Sequence, residues 1–322
     1  MTTPLLFIPP GASAPPRSLA VDGPVPAAAM VYSHWRDAEL TPEPLLADTS
    51  TGMLVLAAQS SSDWLEPYDQ VVVGHVDGDG LLSALVAVRP ELGREHGKLL
   101  IAAATSADFQ AWTSEAGFRL RLRLHQHLRH YAGAEQAGLD ALVANADQLL
   151  IEAASSDPER DAEVGQVLAA REAVAAGHIA ITQAGALAVV RWRRQRGHPW
   201  DRFLDVHQPD DLPVWALTGA IPPHRLQLMM EETAAGTVAV LEAPRHSWAR
   251  TIDLPTVPWP DLSACAAALQ AEEPLPVTWT AGPGGQGDAF TGLLAVVQDG
   301  KPAASGVAPE RIAAVIGARL SG

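Results

Sequence analysis

"VVVGHVDGDGLLSALVA", residues 71–87, is the stretch that decides the fold. Three β-branched valines run into a glycine-punctuated loop, and an apolar stretch with helical character follows. Short, wholly apolar and β-branched, 70–75 reads as a central strand of a parallel sheet, and Pro90 marks the end of the helix behind it. The loop between them places His75, Asp77 and Asp79 at alternate positions. If the extended backbone continues, all three project to one side and face one cavity at the carboxyl edge of the sheet, where open α/β sheets bind ligands. Glycines at 74, 78 and 80 leave room for an ion or side chain, and the N–H groups of the following helix suit an anion such as phosphate.

Imidazole mixed with carboxylate suits Mn²⁺, Fe²⁺ or Zn²⁺ better than Ca²⁺. An EF-hand started at residue 75 would put His75 and Val86 where acids are required, so that reading fails. His75, Asp77 and Asp79 are therefore candidate metal ligands. Taken one by one, each is also what a strand end, a turn and a helix cap ordinarily use.

Working outward, "AAAMVYSH" (27–34) reads as a buried strand ending at His34, and 44–60 as a helix with Asp48 near its start. "KLLIAAA" (98–104) reads as a further buried strand followed by Asp108. Residues 9–28, rich in Pro, Ala and Gly, read as an irregular lead-in containing Asp22. Asp108 is the first choice for a further metal ligand. His34 comes next, as a catalytic proton carrier alongside Asp79, and Asp48 and Asp22 after it. Strand, helix, strand in that order predicts a parallel α/β sheet with right-handed crossovers.

From 107 to 178 the pattern is mostly helical, broken near "SSDPERD". "HIAITQ" and "LAVVRW" read as a hairpin, and 197–212 as a link between domains. Beyond it, "VWALTG", "RLQLMME", "TVAVLEA", "PVTWTA" and "GLLAVVQ" read as strands, with "DLSACAAALQAEE" and "PERIAAVIGARL" as helices. Two domains are expected: 1–200, carrying the site, and a smaller α/β domain, 201–322. In the helical stretch, His125 and His127 diverge by about 200°, whereas His127 and His130 could share an ion. "AGPGGQGDAFTG" (281–292) lacks the Lys-Ser/Thr ending of a Walker loop. Arg245 and Arg250 are candidates to hold a phosphate from the second domain, and Ser83 to contact substrate beside the loop.

Composition narrows the classes. At 322 residues with 48% hydrophobic and 18% charged residues, the chain is globular rather than disordered. With 22 Lys plus Arg against 37 Asp plus Glu, the net charge is −15, which disfavours bulk nucleic acid and anionic membranes as partners. One cysteine, Cys265, allows neither an intrachain disulfide nor a thiolate cluster. The first residues lack a basic leader, and no apolar run approaches the ~18 residues of a membrane span. A soluble, cytoplasmic protein is expected. Gly-x-Ser-x-Gly elbows and dinucleotide fingerprints are absent from the sequence.

"GHVDGDGLLSAL" resembles the first motif of the DHH phosphoesterase superfamily, although the Asp-His-His triplet occurs nowhere in the chain. The resemblance implies a DHH-like parallel-sheet domain with a second, smaller one, a dinuclear manganese centre and hydrolysis of phosphoester or phosphoanhydride bonds. Over a longer span, "VDG", "SHW", "LLAD", "HVDGDGLLSAL", "ADF" and "TWTAGPGG" resemble a family of uncharacterised bacterial proteins. The expectation is a hydrolase of a small phosphorylated substrate, dependent on a divalent metal, Mn²⁺ or Mg²⁺. The alternatives are a non-catalytic relative that binds a ligand or partner, and a metal-assisted enzyme for a non-phosphate substrate.

Overall fold

The structure is a computed structural model that describes residues 3–36, 38, 41–61, 63–157, 161–193, 214–257, 260–282, 294–299 and 301–320. The expected domain link, 197–212, and most of "AGPGGQGDAFTG" lie outside these residues. Two compact units emerge: 1–164 with 248–254, and 165–247 with 255–322. Contacts thus divide the chain between Val164 and Gly165, whereas the sequence suggests 200, and they assign a seven-residue segment of the later chain to the first unit.

The first unit is built on four parallel strands: β1 (Leu5–Phe7), β2 (Ser18–Val21), β3 (Met30–Tyr32) and β4 (Gln70–Val73). Their order is β1-β4-β2-β3, so β4 lies in the middle, as its uninterrupted valines demand. Val71 and Val73 face a helical layer, while Val72 turns to a smaller cluster with Ile8, Val25 and Val31. The helices of that layer are α1 (Ser50–Ser60), α2 (Gly78–Val88), α3 (Pro90–Asp108), α4 (Glu115–His130) and α5 (Glu135–Ala154).

Several sequence expectations change here. Residues 9–28 are not irregular throughout, because four residues suffice for β2 and the flanking prolines hide it. "KLLIAAA" is not a strand but the middle of α3. A continuous apolar run cannot by itself distinguish buried strand from buried helix. Pro90 starts this helix, and Gly97 lets it press on α1: a Cβ there would lie 2.7 Å from a Val55 methyl. The consequence for the site is direct. α2 runs away from the carboxyl edge of the sheet, α3 returns, and Asp108 at its end comes back to that edge.

In the second unit the sheet order is β11-β10-β8-β7-β6-β5, with β9 paired to β10. Its strands are β5 (Ala180–Ala184), β6 (Leu187–Arg193), β7 (Leu226–Thr233), β8 (Gly236–Glu242), β9 (Thr278–Ala281), β10 (Leu294–Gln298) and β11 (Lys301–Pro302). The β5–β6 hairpin forms as expected, and β6 pairs parallel to β7. "VWALTG" is a 3₁₀ turn (Val214–Leu217) rather than a strand. α6 (Ala162–Ala175) starts in the last residues of the first unit's main segment and belongs from Gly165 onward to the second unit. α7 (Ser263–Glu272) and α8 (Pro309–Leu320) pack Cys265, Leu269, Ile312 and Ile316 with Leu228, Met230 and Leu241 of the sheet. Among the described residues, no helix is long and apolar enough to cross a membrane.

Candidate metal centre

The carboxyl edge of the first sheet collects the ionisable groups. Asp22 follows β2, His34 stands two residues beyond β3, and His75 and Asp77 follow β4. Asp79 arrives from the first turn of α2 and Asp108 from the end of α3. The expected trio His75, Asp77 and Asp79 does not share one cavity, because extended backbone ends at Asp77 and α2 begins at Gly78. Asp79 is turned inward and fully buried, whereas the side chains of His75 and Asp77 are 49% and 38% exposed.

Two groups result. Asp22, His34, Asp79 and Asp108 each offer a ligand atom within 4.8 Å of all the others, and so do Asp22, His75 and Asp77. Asp22 belongs to both. Its φ of 66° is the left-handed conformation, which Asp tolerates better than most residues and which places its carboxylate between the groups.

The inner group is enclosed: His34 and Asp79 are 0% exposed, Asp22 1% and Asp108 7%. Asp79 accepts from the backbone N–H groups of Ser50 (2.7 Å) and Thr51 (2.9 Å), so the amino end of α1 holds it in place. Each carboxylate oxygen keeps a second lone pair free for a ligand role. Ser50 Oγ lies 2.9 Å from His34 Nδ1 and donates to Asp22 Oδ1 at 3.2 Å. His34 Nε2 stands 3.2 Å from Asp108 Oδ2, so the two meet as an ion pair without an aligned hydrogen bond, and Asp22 Oδ2 is buried without one. Two ligand atoms held about 2.0–2.2 Å from one ion sit roughly 3–3.5 Å apart without pointing at each other.

The charges tell the same story. Burial, with Asp77 and Asp79 nearby, pushes the Asp108 carboxyl up to about 8. Burial and the same neighbours hold Asp22 well above the ordinary carboxylate range. Burial alone would lower the His34 imidazole, but the carboxylates of Asp108 and Asp79 outweigh it and raise its pKa to about 10. Three carboxyls and an imidazole in one enclosed space repel a full set of negative charges. A divalent cation would relieve that repulsion and satisfy the lone pairs together.

In the outer group, His75 Nε2 lies 3.1 Å from Asp77 Oδ2, a contact that raises the imidazole pKa. Packing would raise the Asp77 carboxyl, but His75 and the Gly80 N–H hold it below its ordinary range. Asp77 is also the cap of α2, accepting from Gly80 N at 2.8 Å, so that N–H is not free for an anion as the sequence suggests. A Cβ on Gly80 would lie 2.6 Å from the His75 carbonyl and 3.0 Å from Asp22 Oδ2. Only glycine lets α2 start this close to both groups.

The segment Trp248–Leu254 completes the first unit's edge. Trp35 bridges Ala249, Arg250 N donates to His34 O at 2.7 Å, and Asp48 Oδ1 accepts from Ile252 N and Asp253 N. The Trp248 ring lies 5.0 Å from that of His34 and 6.1 Å from that of Phe109, a lid of aromatic surface on the imidazole. Arg250 therefore belongs to the first unit, not the second. Its Nε and Nη2 are buried without partners among the described residues. Arg245 is in the second unit, paired with Glu242 at 3.1 Å. Asp48 serves as the anchor of this segment. Ser83 is fully buried, 3.4 Å from Thr51 Oγ1 between α1 and α2, and cannot meet a substrate. His34, expected as a proton carrier, is likewise fully buried.

Sequence reasoning missed Ser50 and Thr51, for which "DTST" (48–51), a run of helix-capping residues, was a signal. Trp248 stands out in the sequence as an aromatic among Arg245, His246 and Arg250, but nothing local places it on His34.

The arrangement defines an α/β protein with a carboxylate–imidazole centre at the carboxyl edge of a parallel sheet. The chain belongs to a family of unknown function (DUF6687), whose model matches residues 3–289. Comparison with curated proteins and with solved structures found no match.

Proposed function

We propose that the protein is a divalent-cation-dependent hydrolase of small phosphorylated compounds. The observation that carries this reading is the enclosed group Asp22, His34, Asp79 and Asp108, whose ligand atoms lie within 4.8 Å of one another and in which His34 Nε2, Asp108 Oδ2 and Asp22 Oδ2 have no hydrogen bond. Asp22, His34, Asp79 and Asp108 would hold an inner cation, Mn²⁺ or Mg²⁺, and Asp22, His75 and Asp77 an outer one, with Asp22 common to both. A cation in such a site neutralises phosphate charge and acidifies water. Ser50 and Thr51 orient Asp79, and Ser50 also orients His34 and Asp22. Trp248 and Phe109 keep bulk water from the imidazole. The exposed His75–Asp77 edge is where a substrate would reach the centre. Arg250, whose backbone is tied to His34 O, is the guanidinium of the first unit that would answer a phosphate once its buried Nε and Nη2 are uncovered.

The test is a panel of dinucleotides, nucleoside phosphates and pyrophosphate, assayed with Mn²⁺ and with Mg²⁺. Turnover is expected for wild type, lost in EDTA and reduced at least a hundredfold in Asp77→Asn and Asp108→Asn. Turnover insensitive to chelator and to both substitutions would put the chemistry elsewhere. A second reading, a ligand-binding module with a structural cation, is favoured by the closure of the inner group, where His34 and Asp79 are fully buried. Stoichiometric cation without turnover on any member of the panel would select it.

A further inference from the structure

Beside the outer group the first unit contains a cavity of about 470 Å³, and His75, Asp77 and the Gly74 backbone form its near wall. The far walls come from the start of the chain and from the α4–α5 corner: Phe7, Pro10, Leu128 and Tyr131, with His125 and Glu135 among the polar groups. The size falls in the range of about 300–1,000 Å³ that suits one small organic ligand. Two of those four wall residues, Phe7 and Tyr131, are aromatic, and the surface the four offer is mostly apolar. Of the cavity's polar lining, Asp77 and Glu135 would repel a second phosphate, and His127 Nε2 is engaged by the Gly138 carbonyl.

The aromatic wall is set in advance of any ligand. His127 Nε2 is held by the Gly138 carbonyl at 2.8 Å, and its ring lies 4.8 Å from that of Tyr131. Gly138 supports Tyr131 from beneath, since a Cβ there would stand 3.0 Å from Tyr131 Cβ. His130 packs edge-on at 4.7 Å. A rigid aromatic face beside an apolar floor favours flat rings over flexible chains, because stacking adds to burial and little ligand entropy is lost.

We infer that this cavity binds a planar aromatic group carried by the substrate, so that the protein prefers aryl or heteroaryl phosphates to alkyl phosphates and pyrophosphate. The assignment rests on the hydrolase reading for the position of the phosphate, at His75 and Asp77, and on the cavity alone for the ring. Tyr131 and Leu128 then set specificity rather than chemistry.

Isothermal titration calorimetry of the full chain with Mn²⁺ tests it, using 1-naphthyl phosphate, butyl phosphate and 1-naphthol. Naphthyl phosphate should bind at least tenfold more tightly than butyl phosphate. Leu128→Trp, which fills the cavity, should bring that ratio near one, and Tyr131→Phe should preserve it. Naphthol carries the ring without phosphate, so its binding to wild type and its loss in Leu128→Trp would uphold the cavity even if no phosphate ester is hydrolysed. Equal affinities for the two phosphates, or no binding of either naphthyl compound, would overturn the inference. A ratio unchanged in a folded Leu128→Trp variant would do the same.

Discussion

Replacing Asp108 by Asn should strengthen the fold in chelator and weaken it, relative to wild type, when cation is present. The carboxyl is moved from its ordinary 3.8 to about 8 by burial and by Asp77 and Asp79. A carboxyl raised in the folded state costs nothing below its unfolded value, and the cost grows as pH climbs from there to the folded value. At pH 7 that is roughly three pH units at about 1.4 kcal/mol each, or about 4 kcal/mol at most. An amide carries no ionisation cost, but it gives up the charged contact with His34 Nε2 at 3.2 Å, which offsets part of that gain. In EDTA at pH 7 the variant should therefore be about 2–4 kcal/mol more stable, the gain shrinking to about 1 kcal/mol near pH 5. With Mn²⁺ at a hundred times its Kd, wild type should gain about 2.7 kcal/mol and the variant little. Urea denaturation followed by circular dichroism, with and without EDTA at both pH values, measures all four cases. A variant destabilised in EDTA, or one that responds to Mn²⁺ as wild type does, would refute the argument that Asp108 is held at a cost for a cation.

Gly80→Ala should lower cation affinity at least tenfold by titration calorimetry, since its methyl would collide with the His75 carbonyl and crowd Asp22; unchanged affinity would show that α2 can shift. Asp48→Ala removes the acceptor for Ile252 N and Asp253 N. It should cost about 1–2 kcal/mol and speed amide exchange at 250–253, while equal exchange would mean the segment is held otherwise. Asp161 joins the buried Arg119 and Arg123 at 2.7 and 2.8 Å. Burial would raise its carboxyl pKa, but the Asp157 N–H and the two guanidiniums hold it down, so its contribution is present above 3.8 and lost as pH falls below that. Asp161→Asn should cost about 3–5 kcal/mol in urea at neutral pH and progressively less in acid; a cost independent of pH would deny the charge its part.

The centre of the fold was legible because β4 and α2 are written in their simplest form: a β-branched run, a capping Asp and an apolar helix. The same valines that reveal a central strand say nothing about its neighbours, so β2, four residues framed by prolines, went unread. In α3 the apolar middle was ambiguous, and Pro90, read as the end of one helix, starts the next, whose Gly97 brings it against α1. Asp108 was chosen for the wrong reason, as a residue after a strand, and reached the site because a helical hairpin returns to the same edge. For the site itself, alternation was the wrong rule past Asp77, where the helix begins. It predicted one cavity where there are two groups, joined by an Asp22 whose left-handed backbone no pattern of spacing reveals. Trp248 and Arg250 come from more than two hundred residues beyond His34, a distance over which local sequence carries no information about contact.

The central claim is that these buried carboxylates and His34 hold a divalent cation. Elemental analysis of full-length protein purified without chelator tests it most directly, run beside Asp22→Asn, the substitution common to both groups. The account predicts at least one equivalent of a divalent metal, with Mn²⁺ or Mg²⁺ restoring it after EDTA treatment, and loss of most of it in folded Asp22→Asn. Wild type that holds no divalent metal even after incubation with Mn²⁺ and Mg²⁺, or an Asp22→Asn variant that keeps the full amount, would contradict it.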